Sequence, residues 1–242
     1  MPARFYVDTP LAEPGELSLP PSSARHVQVL RLQPGAPITL FDGTGDEWQA
    51  EVLAMGRSEV RVQLLQRQPA RRELAQAVTL AVVMPANDRM DGIVEKATEL
   101  GAAAIQPLVA ERSVLRLAGE RAEKKVAHWQ GVAVAACEQS GRSVVPRIAA
   151  VQSLAAWLSG LGERPEGQRR WLLSPMAAEP LSAQTAAPQT LVLSGPEGGL
   201  SAAEEDAARA QGFMAMNLGP RILRADTAPL AVLGWLALSS VG

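Results

Sequence analysis

The chain has 242 residues, of which 47% are apolar and 20% are charged, and its formal net charge is −2. This composition excludes an intrinsically disordered chain, because disorder requires low hydrophobicity together with high net charge. The length allows one large domain or two small ones, and either arrangement can bury a sizeable core. The single cysteine, Cys137, excludes an internal disulfide framework and a zinc site built on cysteines, and it favours a reducing compartment.

Hydropathy and charge narrow the choice of partners. The longest apolar run, residues 230–238, is much shorter than the roughly 20 residues that a membrane helix needs. The N-terminus lacks the apolar centre of a signal peptide, so we expect a cytoplasmic protein without a membrane segment. No segment is strongly basic, whereas nucleic-acid binders usually carry a basic footprint. Any site for a polyanion must therefore be local, formed by arginines that folding or a second subunit brings together.

The first seventy residues predict β structure. Residues 36–41, 47–55 and 58–64 are expected to be strands, because apolar and polar residues alternate along the later runs and glycine-rich turns separate them. Short strands of this kind favour a small antiparallel barrel. The polar stretch 66–73, which contains Pro69, is expected to be a linker. We therefore predict domains at residues 1–70 and 74–242.

Beyond residue 74, predicted strands alternate with predicted helices. The continuous apolar run 77–84 is typical of a strand that is covered on both faces. A helix is expected after Asp88, which could cap it, and another from Ser201, where Glu204 completes a capping box. The remaining strands are expected at 103–109, 170–174, 190–194 and 213–218. The remaining helices are expected at about 120–140 and at the C-terminal end, where Pro229 lies in the first turn. This order predicts a mostly parallel sheet with helices on both faces.

Two glycine-rich segments follow predicted strands in the last third of the chain. The first, 194–199, leads into the helix at Ser201, and glycines there would let a ligand approach the backbone and the helix N-terminus. As a pattern it is also typical of a plain tight turn. It lacks the lysine of a phosphate-binding loop, which disfavours a nucleotide hydrolase. The second segment, 217–227, places Arg221 and Arg224 on either side of two apolar residues, which also fits a strand-to-helix connection with solvated arginines.

Together these two segments resemble the cofactor-binding end of SPOUT methyltransferases, and most closely that of the RsmE family of 16S rRNA uridine N3-methyltransferases. The resemblance rests on the sequences Ser194-Gly-Pro-Glu-Gly-Gly-Leu-Ser201 and Leu218-Gly-Pro-Arg-Ile-Leu-Arg-Ala-Asp-Thr227. It extends over the whole chain, through residues 26–31, 41–43, 96–101, 111–113 and 137–142. Asp226 is a departure, since the family usually has glutamate there, and the side chain is shorter by one methylene.

The resemblance implies a PUA-like β-barrel followed by a SPOUT α/β domain with a deep trefoil knot. It also implies a homodimer that acts on 16S rRNA or the small ribosomal subunit and takes its methyl group from S-adenosylmethionine, so that no metal is needed. The donor is then expected to lie between the two glycine-rich segments, with the loop 173–176 closing the pocket. The residues expected to bind it are Leu173, Met176, Leu193, Ser194, Gly195, Glu197, Gly198, Gly199, Leu218, Gly219, Ile222 and Leu223.

The implied reaction sets requirements of its own. Uridine N3 carries a proton at neutral pH, so the enzyme needs a base, or cations that stabilise the uridine oxygens as the proton leaves. The candidates for the cationic role are Arg142, Arg221 and Arg224, and the candidates for the base are Glu138, Glu197 and Asp226. Glu138 could equally pair with Arg142 four residues later. RNA contacts are expected at Arg25, His26, Arg31 and Arg112, where packing or plain solvation is an equal alternative.

Two other functions fit parts of this pattern. A related enzyme could methylate the ribose 2′-OH instead of the base. A non-catalytic RNA-binding assembly factor could have kept the fold, although the complete glycine loop and the acid at Asp226 argue against this. The apolar C-terminal helix, residues 230–238, is a candidate dimer interface, with burial inside its own protomer as the equal alternative. We expect Cys137 to be a buried apolar residue and not a nucleophile.

Overall fold

A computed structural model describes residues 2–57, 59–184 and 187–239. The chain divides into two compact units. The first consists of residues 1–73 and 134–145, and the second of residues 74–133 and 146–242. The domain limits expected from the sequence, 1–70 and 74–242, stay a prediction.

The first unit is built on a five-stranded sheet with the order β1-β3-β4-β5-β2. Neighbouring strands are antiparallel except β1 and β3, which are parallel. Alternate residues of β4, among them Trp48, Ala50 and Val52, are buried in one core, as the period-two pattern predicts. The elements are β1 (Ala3–Tyr6), β2 (Gly15–Ser18), α1 (Pro21–Val29), β3 (Pro37–Phe41), β4 (Asp46–Met55) and β5 (Val60–Pro69).

Two features of this unit differ from the sequence expectation. The strand β5 continues to Pro69 because it pairs with β4 along its whole length, so the first four residues of the predicted linker 66–73 are strand. Pro69 is tolerated as the last strand residue, where its missing N–H removes no further ladder bond. Helix α1 was not predicted, because its buried residues Ala24 and Val27 form too short an apolar face to show in the sequence. Ser58, the first residue of a predicted strand, lies outside the described residues.

The second unit contains a parallel sheet with the order β12-β10-β11-β6-β7-β8, and β9 also pairs with β7. Every pairing in it is parallel, which confirms the predicted α/β architecture. The elements are β6 (Ala77–Val83), α2 (Arg89–Glu99), β7 (Ala104–Val109), α3 (Gly119–Ser140), β8 (Arg147–Ile148), β9 (Gln152–Ser153), α4 (Leu154–Ser159), β10 (Gln168–Leu173), β11 (Gln189–Ser194), α5 (Ala202–Ala210), β12 (Met214–Met216) and α6 (Thr227–Ser239). The last part of α3, from residue 134, belongs to the first unit.

Helices cover both faces of this sheet. On one face, residues of β6 and β11 such as Ala81 and Leu193 share a buried cluster with residues of α4 and α5. The other face carries α2 and α6, which contact each other while α6 also contacts β6 and β11. Both faces are therefore apolar, which explains why β6 reads as a continuous apolar run. The deep trefoil knot implied by the resemblance stays a prediction.

The sequence predicts side-chain caps at the start of two helices, α2 and α5, and only the cap of α5 is present among the described residues. Ser201 and Glu204 form the complete capping box predicted for α5. Gly141 has a φ of +85° and follows the last residue of α3, as a helix-terminating glycine should. Asp88 is the N-cap residue of α2, but its side chain makes no capping hydrogen bond. Its carboxylate instead accepts from Nζ of Lys125 at 3.2 Å, so the predicted side-chain cap is wrong.

Three neighbouring strands end at the same edge of the parallel sheet. Leu173 at the end of β10 is in register with Ser194 on β11 and with Met216 on β12. The loops that follow these strands therefore emerge side by side. In open α/β sheets this carboxyl edge is where ligands bind. Among the described residues, no helix is long and apolar enough to cross a membrane.

Candidate active site

The three adjacent loops enclose a cavity of about 540 Å³, which lies within the usual range for small-molecule sites. Its walls come from the end of β10, the glycine loop (residues 194–200) and the arginine loop (residues 217–225). The cavity brings together nine residues expected to bind the donor, namely Leu173, Ser194, Gly195, Glu197, Gly198, Gly199, Leu218, Ile222 and Leu223.

Three other residues expected at the donor do not line this cavity. Leu193 faces the buried core between the sheet and helices α4 and α5, one residue before the strand end. Met176 is 91% exposed, and Gly219 is also exposed, with a φ of +93°. Their part in donor binding stays a prediction.

The glycine loop turns sharply. Gly199 has a φ of +67°, a conformation that side-chain-bearing residues rarely adopt, and its N–H donates to the carbonyl of Pro196 at 2.9 Å. At Gly195, an added Cβ would lie 3.3 Å from both Cγ and N of Leu200, closer than ordinary packing allows. These two glycines are therefore needed for the turn and for the close return of the chain.

Glu197, at the centre of the glycine loop, is anchored to the loop that follows β6. Its Oε1 accepts from the Ala86 N–H at 3.1 Å and from Nη1 of Arg89 at 3.4 Å. Arg89 itself lines the cavity, although it was not among the residues expected from the sequence. The available signal was its place just after the predicted strand 77–84, at the same carboxyl edge that carries the glycine loop.

The arginine loop is anchored by Asn217, another residue that was not expected at the site from the sequence. The Asn217 side-chain nitrogen donates to the Ala177 carbonyl at 2.9 Å, and its side-chain oxygen accepts from the Gly219 N–H at 3.0 Å. The Asn217 backbone N–H donates to the carbonyl of Glu179 at 2.9 Å. One side chain thus connects the loop after β10 to the loop after β12.

Arg221 and Arg224 both line the cavity. Within the described part of the chain, neither guanidinium has a hydrogen bond or an ion pair. The backbone of Arg224 is nevertheless fixed, because its carbonyl accepts from the N–H groups of Thr227 and Ala228 at 3.0 Å each and so begins helix α6. Asp226 is half-buried beside it, accepts from the Thr227 hydroxyl at 3.4 Å and is not a lining residue.

The cavity also contains a second carboxylate, Glu205 on helix α5. Glu205 accepts from the hydroxyl of Ser174 at 3.4 Å and pairs with Arg209 at 2.5 Å. Glu205 is not predicted from the sequence, because nothing distinguishes it from a solvated helix acid until α5 is placed against the end of β10. The walls therefore carry two carboxylates and three guanidinium groups, those of Arg89, Arg221 and Arg224.

Two further residues expected to be catalytic, Glu138 and Arg142, belong to the first unit. Glu138 accepts from the Tyr6 N–H at 2.9 Å and pairs with His26 Nδ1 at 3.2 Å, and its burial raises the pKa of its carboxyl. The Arg142 side chain is only 3% exposed and donates from Nε to Oε2 of Glu73 at 3.0 Å. Glu138 and Arg142 were expected to face each other four residues apart on one helix. Helix α3 ends at Ser140, so Arg142 lies outside it and the two side chains are not helical neighbours. Neither lines the cavity, and their catalytic roles stay predictions.

The residues expected to contact RNA fall into two groups. Arg25 and His26 on α1, and Arg31 just beyond it, are exposed, and His26 packs edge-on against Phe5 with ring centroids 5.2 Å apart. Arg112, in the second unit, donates instead to backbone carbonyls of the glycine loop. Whether any of these residues contacts RNA stays a prediction.

Neither nucleophilic catalysis by a cysteine nor metal binding is supported by the described residues. Cys137 is buried, and this burial raises the pKa of its thiol to about 12, so the thiol stays protonated and inert. Among the described residues, no group of three or more histidine, cysteine, aspartate or glutamate side chains could hold a metal ion.

Comparison with known families defines the class of protein. Residues 72–237 match the family described as an RNA methyltransferase domain, and residues 19–65 match the RNA methyltransferase PUA domain. The parallel sheet, its loop-enclosed cavity and the smaller N-terminal sheet are thus those of an RNA methyltransferase.

Individual relatives narrow the class to a family. The chain is 36% identical to ribosomal RNA small subunit methyltransferase E of Synechocystis over 85% of its own length and 67% of that protein. It is 34% identical to the Bacillus subtilis protein of the same name, over 86% of this chain and 83% of that one. The crystal structure of the Neisseria gonorrhoeae enzyme bound to S-adenosylmethionine superposes with a TM-score of 0.91 at 33% identity, covering 99% and 98% of the two chains. The chain belongs to the ribosomal RNA small subunit methyltransferase E family, also called RsmE.

Proposed function

We propose that this protein transfers a methyl group from S-adenosylmethionine to N3 of a uridine in the 16S rRNA of the small ribosomal subunit. The observation that carries the proposal is a cavity in which both glycine-rich segments meet. Arg221 and Arg224 also line it, and their guanidinium groups have no hydrogen-bond or ion-pair partner in the part of the chain that the structure describes. The relative from Neisseria gonorrhoeae, which has S-adenosylmethionine bound, supports the choice of donor.

The chemistry of the walls fits this donor. Leu173, Leu218 and Leu223 offer apolar surface for a flat base, and the backbone of the glycine loop offers polar groups for its edge. The carboxylates of Glu197 and Glu205 complement a ligand that carries positive charge. When bound, S-adenosylmethionine supplies a methyl group that its positive sulfonium has already activated.

The unpartnered arginines fit the acceptor better than the donor. A guanidinium gains nothing from facing a cationic sulfonium, whereas negative charge grows on uridine O2 and O4 as N3 loses its proton. Arg224 would donate to one of these oxygens and stabilise the charge as it develops. Of the acids expected as bases, Glu197 lines the cavity, and we propose that it accepts the N3 proton. Ala86 and Arg89 hold its carboxylate in place for that step.

We further propose that two chains act together in the cytoplasm. With a net charge of −2, a single chain has little attraction for RNA phosphates, and pairing would let arginines of two chains share one groove. Helix α6 buries Val232, Leu233 and Leu236 but leaves Leu238 80% exposed, so part of this apolar helix is available to a second copy. Light scattering should give a dimer, and an active monomer at micromolar concentration would contradict this arrangement.

Mass spectrometry of 16S rRNA tests the function in cells. RNA from a strain that lacks the gene should have lost one N3-methyluridine, and expression of the wild-type chain should restore it. An unchanged N3-methyluridine would refute the proposed activity. Dinucleotides that resist alkali and depend on the gene would instead identify a ribose 2′-O-methyltransferase. A purified chain that fails to bind the donor in calorimetry would point to a non-catalytic assembly factor.

A further inference from the structure

The segment Glu111-Arg112-Ser113 has no role in the reaction proposed above, yet its contacts point to the donor site. It follows β7 at the same carboxyl edge of the sheet. The Glu111 N–H donates to Oε1 of Glu204, the acid of the α5 capping box, at 2.8 Å. The hydroxyl of Ser113, which is 7% exposed, accepts from the Ala110 N–H at 2.8 Å and so fixes the turn that presents Arg112.

Arg112 itself holds the glycine loop. Its Nη1 donates to the Gly198 carbonyl at 3.0 Å and to the Leu200 carbonyl at 3.3 Å. These two carbonyls bracket Gly199, whose φ is +67°. The aliphatic stem of Arg112 also covers the loop, because a Cβ added to Gly198 would lie 3.6 Å from its Cβ and 3.7 Å from its Cδ. One side chain thus packs on the sharpest part of the loop and hydrogen-bonds both of its ends.

The glycine loop needs such support from outside. Among the described residues, the backbone hydrogen bond within the loop, between the end of β11 and the start of α5, is that from the Gly199 N–H to the Pro196 carbonyl. Glu197 anchors the loop on one side, to Ala86 and Arg89, and Arg112 anchors it from the segment after β7. A shift of about 1 Å in groups that position a reactant can slow a reaction on the order of 100-fold. Loss of an anchor of this loop is therefore expected to affect function.

We propose that Arg112 is a positioning residue that fixes the glycine loop for donor binding. It acts through the two carbonyls that it holds, whereas the sequence had suggested a contact with RNA phosphate. The proposal rests on the proposed function for the identity of the donor. It predicts that removing the guanidinium weakens donor binding and leaves RNA binding unchanged.

The experiment compares Arg112→Ala and Arg112→Lys with Arg121→Ala, a control that removes the same charge from an exposed position on α3. Calorimetry with S-adenosylmethionine and steady-state methyl transfer to small ribosomal subunits give donor Kd, kcat and both KM values. We expect donor Kd and KM to rise about tenfold in Arg112→Ala, as for loss of a charge-assisted hydrogen bond. The kcat at saturating donor and the KM for subunits should stay within about twofold of wild type.

The lysine variant and the control complete the test. Arg112→Lys should recover part of the donor affinity, because an ammonium can reach a carbonyl but lacks the planar fork. Arg121→Ala should leave donor affinity unchanged. Subunit affinity that falls while donor affinity holds would make Arg112 an RNA contact and overturn the proposal, as would wild-type values for both. A wild-type chain that binds no donor would instead count against the proposed function. Melting temperatures within about 3 °C of wild type confirm that the variants are folded.

Discussion

Two buried arginines of the first unit and two arginines at the cavity of the second unit are used in different ways. In the first unit, the Arg4 side chain is 9% exposed and pairs with Glu47. The Arg142 side chain is 3% exposed and pairs with Glu73. Around the cavity of the second unit, Arg221 and Arg224 have no such partner among the described residues. A buried guanidinium must be paired to be tolerated, so its donors serve the fold. An unpaired guanidinium at a cavity keeps its donors for a ligand that carries negative charge.

The largest effect should come from Arg224→Ala. Removing a preorganised donor to a developing oxyanion slows reactions about 100- to 1000-fold, and Arg224→Lys should recover only part of this. Single-turnover methyl transfer at saturating donor measures the rate, and calorimetry measures donor affinity, which should stay near wild type. If donor affinity collapses while the saturated rate holds, Arg224 belongs to the donor pocket and its proposed role is wrong.

Arg142→Ala should act on stability instead. The change leaves the Glu73 carboxylate, which is 29% exposed, without the guanidinium that pairs with it, and we expect a loss of about 2 to 4 kcal/mol in the free energy of unfolding. Urea denaturation measures the loss, and Glu73→Gln with Arg142 intact separates the two partners. A variant that keeps wild-type stability but loses methyl transfer would restore Arg142 to the catalytic role suggested by the sequence.

The sequence predicted what short-range patterns encode. Apolar runs identified the parallel strands, and Ser201 with Glu204 identified the start of α5 from residues three apart. The partners of Arg112 and Arg142 could not be predicted this way, since Gly198 and Glu73 lie 86 and 69 residues away along the chain. Leu193 was expected in the donor pocket, but strand alternation turns it to the core while Ser194 reaches the cavity. The resemblance to a family led to the candidate site, and the contacts of the described residues distinguish those that anchor its loops from those whose side chains have no partner there.

A smaller effect is expected at Asn217, which anchors the arginine loop as Glu73 anchors Arg142. In Asn217→Asp, a carboxylate oxygen would face the Ala177 carbonyl in place of the donating nitrogen, so the loop should shift and donor Kd should rise about tenfold. Asn217→Ala loses the bond without adding repulsion and should be less affected. Equal donor affinity in all three chains would show that the anchor is dispensable.

The smallest effect concerns the pH dependence of stability at Glu138. Because burial raises the pKa of this carboxyl, the folded state favours its protonated form, and wild type should lose stability as the pH rises from the ordinary glutamate value to the raised one. Glu138→Gln keeps an acceptor for the Tyr6 N–H and lacks this loss. Its melting temperature relative to wild type should therefore rise as the pH increases above about 4, the ordinary glutamate value. A difference that falls over this range would mean that the pair with His26 outweighs burial.

The central claim is that the cavity between the glycine and arginine loops carries methyl transfer to uridine N3. The most direct test incubates purified wild-type chain with small subunits from the deletion strain and S-adenosylmethionine bearing a heavy-isotope methyl group, then locates the label by nuclease digestion and mass spectrometry. The account predicts one labelled N3-methyluridine in 16S rRNA, and almost none in the same reaction time with Arg224→Ala. A label on a ribose oxygen, or full labelling by Arg224→Ala at the wild-type rate, would contradict it.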